Sequence, residues 1–563
     1  MKMKHLGKAA MAGVLSLVLL VGCSSKGGDS GSSSGKADDA APKKDETGRE
    51  MIGNMYVSGL PIVKEKVTLK MIGIQGPQTG NYADMPFFKE LEEKTNVHIE
   101  WELYQQGSYP EKKNVLLASD EVPDAFFGPE SFTMDDANKY GPQGIVIPLN
   151  DLIEKYAPNY KKAMEQEPLL EGLSTAFDGN KYSMGTVIEQ VQRSYPGLLY
   201  INKTWLDRLG LQVPTTIDEY YNVLKAFKDE DANGDGNKND EIPYTFVNFN
   251  HINGYGQFFG AFGRVDVHNY GGNPVDHIVV GDDGKLIFTA DKPEYKEAIQ
   301  TLHKFFKDGL FDQEGFTQDP KQFDAKMKDP KGIVGSFYAW STQAVSPETA
   351  KQYVAIKPLK GPSGEDAPVM KRENNINVRG NGFAITHKNK NPEITMRWVD
   401  EFYSQLTSIE SQYGPVGIGL IDKGDGTYDY NTKDTPQGVS FMDVWHQNAP
   451  FDQSPKFITA KTFGTVVPVT SADEEKANYI NEFYLNAKQN STLPTMNYTP
   501  DEIKTNTTEG LDIGNYVKDS QTKWLLNGGI DAEWDAYLAK LKQLKLDDFI
   551  ASMQASYDRI SGK

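Results

Sequence analysis

The stretch Met85-Pro-Phe-Phe-Lys-Glu-Leu-Glu-Glu-Lys-Thr-Asn-Val-His-Ile-Glu-Trp-Glu102 (MPFFKELEEKTNVHIEWE) contains two different periods in succession. Phe87, Phe88 and Leu91 share one face of a helix that runs to Lys94. From Val97 to Tyr104 apolar and polar residues alternate, the pattern of a strand. The same grammar extends outward on both sides. Upstream, Val67 to Gly73 is rich in β-formers. Downstream, Tyr109 to Ser119 reads as a helix with Val115, Leu116 and Leu117, and Asp124-Ala-Phe-Phe127 reads as a short buried strand after Pro123. Strand, helix, strand, helix, strand predicts an α/β fold built on a mainly parallel sheet with helices on both faces.

The chain has 563 residues, too many for a single core, and two lobes are expected. Leu198 to Ile201 reads as a strand, and Thr216 with Glu219 forms a capping box ahead of an apolar face of Ile217, Tyr220, Tyr221, Leu224 and Phe227. Glu294 to Phe306, Asn391 to Leu406 and Asp531 to Tyr557 read as helical, whereas Ile333 to Phe337 and Gly382 to Thr386 read as strands. No repeat, coiled-coil seam or second long apolar run is present. Trp398, Trp524 and Trp534 read as packing residues.

The amino terminus specifies a compartment. Lys2, Lys4 and Lys8 precede an apolar run from Ala9 to Val21, and Leu20-Val21-Gly22-Cys23 follows. This resembles the bacterial lipoprotein signal, which implies removal of residues 1–22 and lipidation (thioether lipid plus palmitate-type acyl chain) of Cys23. Gly, Ser, Lys and Asp dominate the next segment, so residues 23–65 are expected to form a lipidated, flexible tether. Cys23 is the only cysteine, which rules out intrachain disulfides, thiolate metal sites and a cysteine nucleophile. The net charge is −19, and loss of the three signal-peptide lysines brings the mature chain to −19 − 3 = −22. Such an acidic body argues against nucleic acid as a partner.

These segments, taken in order, resemble the extracellular solute-binding lipoproteins of ABC importers, in particular the LplA-like sugar-binding group that includes the alginate-binding proteins. The resemblance rests on the lipoprotein signal and on five further segments. They are Met85 to Glu102, LLASDEVPDAFF (Leu116 to Phe127), YPGLLYINKTWLDRLGLQVPTTIDEYYNVLKAFKDEDANGDGNKNDEIP (Tyr195 to Pro243), GNGFAIT (Gly380 to Thr386) and the closing run from Trp534 to Arg559. It implies a two-lobe, type II periplasmic-binding-protein-like fold with a ligand cleft between the lobes, closing by a hinge. The N-terminal lobe is expected to comprise residues 66–192 and 335–388, and the C-terminal lobe 193–334 and 389–563. Crossings are expected near Gln192 to Pro196, Asp329 to Gly335 and Thr386 to Asn391. The implied function is capture of an oligosaccharide and its delivery to permease subunits, by a monomer lipid-anchored at the outer face of a Gram-positive cell membrane. A binder of another solute such as a peptide, or a surface-anchored glycoside hydrolase, is the alternative reading.

The stretch DANGDGNKNDEIP (Asp231 to Pro243) has the look of a calcium loop. Asp231, Asn233, Asp235 and Gly236 fit the first, third, fifth and sixth positions, and Asn237 can offer its carbonyl. Position twelve is Ile242 instead of Glu, and the chain continues into a strand where an EF-hand would continue into a helix. In the relatives an Asp-Glu pair before Ile-Pro completes such a loop, which implies Asp240 and Glu241. One extra residue leaves Asn239 and Asp240 as alternative ligands. The expectation is structural calcium held by Asp231, Asn233, Asp235, Asn237, Asp240 and Glu241; a metal-free Asx turn is the competing reading.

Ligands of open α/β sheets lie beyond the carboxyl ends of strands. On that ground Tyr338 and Trp340, Arg193 and Tyr195, Asp124, and Trp445 beside His446 are candidate sugar contacts, each with a packing role as its alternative. No Gly-x-Ser-x-Gly elbow occurs (the match at Gly31 to Gly35 lies in the Gly/Ser tether), nor does a His-Glu-x-x-His or P-loop motif, and no catalytic residue is assigned, so the chain reads as a binder and not an enzyme.

Overall fold

The structure, a computed structural model, describes residues 42–561 apart from 77, 269–275, 373–377, 434–438, 440 and 495. Its described course begins with an antiparallel meander of β1 (Lys43–Lys44), β2 (Glu50–Ile52) and β3 (Met55–Tyr56). Then come β4 (Val67–Gln75), the helix Pro86–Thr95, β5 (Val97–Gln105), the helix Tyr109–Ser119 and β6 (Ala125–Phe127). Helices between residues 134 and 174 lead to β7 (Met184–Ile188). The chain then changes sheets. It forms β8 (Leu198–Asn202), β9 (Ile242–Tyr244), β10 (Ile278–Val280), β11 (Leu286–Phe288), β12 (Val334–Ala339), β13 (Tyr353–Ile356) and β14 (Val369–Lys371). It returns as β15 (Val378–Ile385), a hairpin of β16 (Leu420–Asp422) and β17 (Tyr428–Tyr430), and β18 (Phe457–Ile458). Finally it leaves again for β19 (Gln489–Thr492) and the C-terminal helices.

One six-stranded sheet, in the order β18-β7-β15-β6-β4-β5, forms the first body. The second body carries two four-stranded sheets, β13-β8-β12-β9 and β11-β10-β19-β14. The βαβαβ start is parallel as expected: β4 pairs with both β5 and β6 in that sense. Elsewhere the sheets are mixed, since β15 runs antiparallel to β6 and β7, and β8 runs antiparallel to β12 and β13.

The bodies have separate cores. In the first, Phe88 and Trp101 lie 4.7 Å apart between ring centroids, and Trp398 and Phe402 lie 5.0 Å apart. In the second, Trp205, Tyr220, Phe227, Tyr244, Trp524 and Tyr537 are all essentially fully buried. Burying one such ring contributes about 1.5–3 kcal/mol. Gly335 on β12 is obligatory: a Cβ there would lie 2.5 Å from the Phe227 ring and 2.9 Å from that of Trp205.

Strand pairing corrects the expected partition in three places. Residues 335–356, expected in the N-terminal lobe, supply β12 and β13, which hydrogen-bond to β8 in the second body. Residues 389–458, expected in the C-terminal lobe, stay with the first: Trp398, Val399 and Phe402 pack in its core, and β18 pairs with β7. The crossings therefore lie at 189–197, at 372–377 and at 459–470. The expected crossing at Gln192 to Pro196 agrees, whereas those at Asp329 to Gly335 and Thr386 to Asn391 fall inside one body. The third correction is the tether. Met55, Ile62 and Val63 are buried in the first core, and the Arg397 guanidinium donates to the carbonyls of Tyr56 and Gly59, so residues 43–65, expected in the tether, belong to the folded body. The signal peptide and Cys23 lie outside the described residues.

Candidate functional site

Strands β4, β5, β6, β7 and β18 all end on the edge of the first sheet from which the chain leaves for the second body, and β15 enters on that edge. Facing it are the start of β8 and the end of β12. The three crossings are tied together there. Arg372 donates its backbone N–H to Ser194 O (2.7 Å) and a guanidinium N–H to Arg193 O (3.4 Å). Lys476, from the helix Ser471–Tyr479 after the third crossing, donates to Tyr195 O (2.8 Å). Gln192 donates to Asp473 O (3.3 Å). The geometry is that of a hinge made from three strands of chain.

Around the hinge lies a compact polar cluster. Arg193 Nη2 meets both carboxylate oxygens of Asp452, at 2.9 and 3.1 Å. Gln412 donates to the same carboxylate (3.3 Å), and Lys456 donates to Gln412 Oε1 and Phe451 O. Burial drags the Lys456 ammonium down to about 7, against the pull of Asp452. Burial would raise the Asp452 carboxyl, but Arg193, Lys456 and Arg379 outweigh it and hold the group well below its usual range. The Trp340 ring has Lys476 Nζ on one face, 3.1 Å from the centroid, and its indole N–H points at Asp473 Oδ1 (3.4 Å). Burial holds the Lys476 ammonium well below its normal value. Phe451 adopts a left-handed backbone (φ +51°), uncommon outside glycine, and its ring packs on His446 with centroids 4.2 Å apart. Gln453 Oε1 and both His446 ring nitrogens are buried without a protein partner. Burial keeps His446 neutral by lowering it to about 4. Strain beside unsatisfied polar atoms marks a place built to meet something else.

A second polar centre is the loop after the capped helix Ile217–Asp229. Asp231 accepts from the Gly234 and Gly236 amides at 2.8 and 3.0 Å, Asn233 from Asp235, and Asp235 from Asn237. Glu241 Oε1 accepts from the Ala232 amide (2.9 Å). Glu241 Oε2 and Asp240 Oδ1 are buried and unpartnered, and burial raises the Glu241 carboxyl. Asn239, by contrast, is exposed. Lys331 places its ammonium 3.2 Å from Asp235 and 3.6 Å from Asp240. The loop leads into β9, the strand exit read from the sequence. Elsewhere, Asp266, His268 and His277 bring their ligating atoms within 4.8 Å of one another, and are the one such group among the described residues. Their N···O separations of 2.8 Å are those of hydrogen bonds.

Residues 75–405 match the family model of the bacterial extracellular solute-binding proteins. The chain belongs to that family. It is 31% identical over 509 residues to the fructooligosaccharide ABC transporter substrate-binding protein FusA of Streptococcus pneumoniae serotype 4, covering 88% of this chain and 91% of that protein. A structure of FusA in complex with kestose superposes with a TM-score of 0.79 at 30% identity, over 88% of this chain and 99% of the other. Another FusA structure, of an EF-hand mutant in complex with fructo-nystose, gives a TM-score of 0.80 at 29% identity, over 88% of this chain and 99% of that one. The alginate-binding protein AlgQ2, solved without calcium ion, shares the fold at a TM-score of 0.68 and 23% identity, over 89% of this chain and all (100%) of the other. The two bodies are thus the lobes of a type II solute-binding fold.

In this solute-binding protein the expected contact residues separate into four groups. Arg193 and Trp340 sit in the hinge cluster. Tyr195 and Tyr338 flank it but are buried, Tyr338 against a closed cavity of about 30 Å³ within the second lobe. Trp445 packs in a satellite core, 4.9 Å from Tyr413. Asp124 is misplaced by the sequence reading: it precedes β6, at the sheet edge away from the hinge, where its carboxylate accepts the Lys70 amide (2.8 Å). Asp452, Gln453, Asp473 and Lys476 went unread. The signal for Asp452 and Gln453 is the irregular stretch Ala449 to Lys456, which has neither period and follows a helix, whereas Asp473 and Lys476 sit on the helix Ser471–Tyr479.

Proposed function

We propose that this solute-binding protein captures an oligosaccharide between its lobes and hands it to the permease of an ABC importer. It does so as a monomer, held through a lipid on Cys23 at the outer face of a Gram-positive cell membrane. The observation that carries the reading is the hinge cluster, where an aromatic face, a carboxylate and amides meet at the carboxyl ends of the first sheet. Sugars need that combination: a flat ring against C–H surfaces and fixed polar groups for hydroxyls. FusA, bound to kestose in its structure, supports it. Closure selects the ligand-bound form only insofar as the ligand binds the closed lobes better. The role is binding without turnover.

Isothermal titration of the mature protein against kestose, nystose and other oligosaccharides tests this directly. At least one sugar should bind and remain intact, and Trp340→Ala should weaken it by about tenfold, or 1.4 kcal/mol. Binding confined to peptides, or release of new reducing ends, would refute it.

We also propose that the loop from Asp231 to Glu241 holds a structural calcium. Asp240 Oδ1 and Glu241 Oε2, buried without partners, are hard oxygen donors of the kind calcium takes. Asp231, Asn233, Asp235 and Asn237 would supply the remainder, and the buried oxygen favours Asp240 over Asn239. When bound, the ion supplies positive charge to an acidic turn that otherwise meets Lys331 and the Arg208 guanidinium.

A further inference from the structure

We infer that the ligand is an uncharged oligosaccharide, and that the hinge cluster, with Asp452 at its open side, rejects uronic acids. This rests on the oligosaccharide reading above and specifies its class. The first ground is the chemistry of the sheet edge. β4 ends in Gln75, β5 in Gln105 followed by Gln106, Gln190 follows Glu189 after β7, β15 carries Asn381, and Gln453 abuts Gly128 at the end of β6. A side-chain amide both donates and accepts and bears no charge, which matches a hydroxyl better than a carboxylate. The amide oxygen of Gln453 is buried without a partner.

The second ground is where the charges lie. A bound carboxylate calls for accessible Arg or Lys donors. Here Lys456 is 1% exposed and Lys476 is 0% exposed, and Arg193 is already held by Asp452. Asp452 is the more exposed of the bonded pair, its side chain 40% exposed against 16% for Arg193. The half-exposed Arg379 on β15 is drawn, with Arg193 and Lys456, to that same carboxylate and helps keep it ionised. An incoming uronate would meet a like charge, whereas a neutral hydroxyl would donate to an oriented acceptor.

The test is calorimetry of the mature protein with neutral probes (kestose, nystose, maltotetraose, xylotetraose) and acidic ones (trigalacturonate, trimannuronate). The wild type should bind only among the neutral probes, with an affinity that changes less than about twofold between low and high salt, since no ligand charge is neutralised. Asp452→Asn should weaken neutral binding by about tenfold or more and admit trigalacturonate, because Arg193 and Arg379 lose their counter-charge. Gln453→Ala should weaken neutral binding without admitting uronates, and decides the case if Asp452→Asn fails to fold. A wild type that binds a uronate as tightly as any neutral sugar overturns the inference. So does an Asp452→Asn variant that folds and keeps full neutral affinity. If peptides bind and sugars of neither charge do, the oligosaccharide reading itself falls, and this one with it.

Discussion

Asp266 lies between two imidazoles in the core of the second lobe: His268 Nε2 is 2.8 Å away, His277 Nδ1 is 2.8 Å away, and Thr289 Oγ1 donates at 2.7 Å. Burial opposes ionising Asp266 and His277. For Asp266 the charges of His277 and His268 outweigh burial and hold the carboxyl far below its usual range. For His277, burial is outweighed by Asp266, with Asp276 adding to it, and the imidazole is raised above 6.5. Tyr255, Tyr295 and Gln521 close the site without adding charge at neutral pH. The signs differ for the two partners. The His277 contribution is complete below its unfolded value of 6.5 and is lost as pH rises through its raised folded value. The Asp266 contribution is present above 3.8 and is lost as pH falls through its depressed one. Melting temperature followed across pH should therefore be highest between these limits and decline on the alkaline side. Asp266→Asn should cost about 3–5 kcal/mol near pH 6, as breaking a buried pair does, and should flatten the alkaline decline. A decline that is unchanged in the variant would show that another group sets it. None of this is legible in sequence, where Asp266, His268 and His277 are three polar residues spread over irregular chain. Asp452 and Gln453 were hidden for the same reason: chemistry assembled by tertiary contact leaves no period. Trp398 and Trp534 were legible because each falls on the apolar face of a helix, where it is buried.

At the scale of elements, what was legible is what local physics decides. The Thr216 box is present on both sides, with Glu219 N donating to Thr216 Oγ1 (3.1 Å) and Thr216 N to Glu219 Oε2 (3.3 Å). The run from Asn391 to Leu406 was read as one helix, but it breaks into Pro392–Asp400 and Gln405–Tyr413 around a 3-10 turn at Glu401–Tyr403. Asp531 to Tyr557 likewise divides at Lys545, which takes a left-handed φ of +64°. β18, with two residues, offers no pattern to read, and the third crossing was lost with it. The calcium loop is a prediction at this scale. It joins the capped helix to β9 on the outside of the second lobe, so the ion should act on stability more than on sugar affinity. Chelation by EDTA should lower the melting temperature and added calcium should restore it, with a gain of about 2.7 kcal/mol when calcium is a hundredfold above its dissociation constant. Glu241→Gln should abolish most of that calcium-dependent gain in a thermal melt. A melt indifferent to EDTA would return the loop to a plain Asx turn.

Across the whole molecule, the three crossings make the hinge, but the lobes also touch where no chain passes: Asn138 donates to Asn497 Oδ1 (2.8 Å) and Asn497 to Thr175 O (3.3 Å), and two more contacts lie at a single helix. The helix Pro320–Met327 of the second lobe brings Asp324 to Gln78 of the first (2.8 Å), and Lys328, at its end, meets Asp443 at 2.8 and 3.0 Å. Burial raises the Asp324 carboxyl, and the Gln78 amide offsets part of that. These groups lie on opposite lobes, so a rotation that parts the lobes at this helix breaks them. With Lys328 and Asp443 side chains 32% and 24% exposed, solvent screening limits the pair to about 1 kcal/mol, or roughly a fivefold bias between closed and open lobes. Lys328→Asp should therefore enlarge the radius of gyration of the ligand-free protein in small-angle scattering and weaken ligand binding several-fold, although Lys328 touches no sugar. Lys328→Asp combined with Asp443→Lys should recover both. Recovery separates a latch from general damage to the helix, because damage would persist in the double variant. If neither the scattering radius nor the affinity moves in Lys328→Asp, the hinge alone sets the closing equilibrium, and the contacts at this helix merely accompany it.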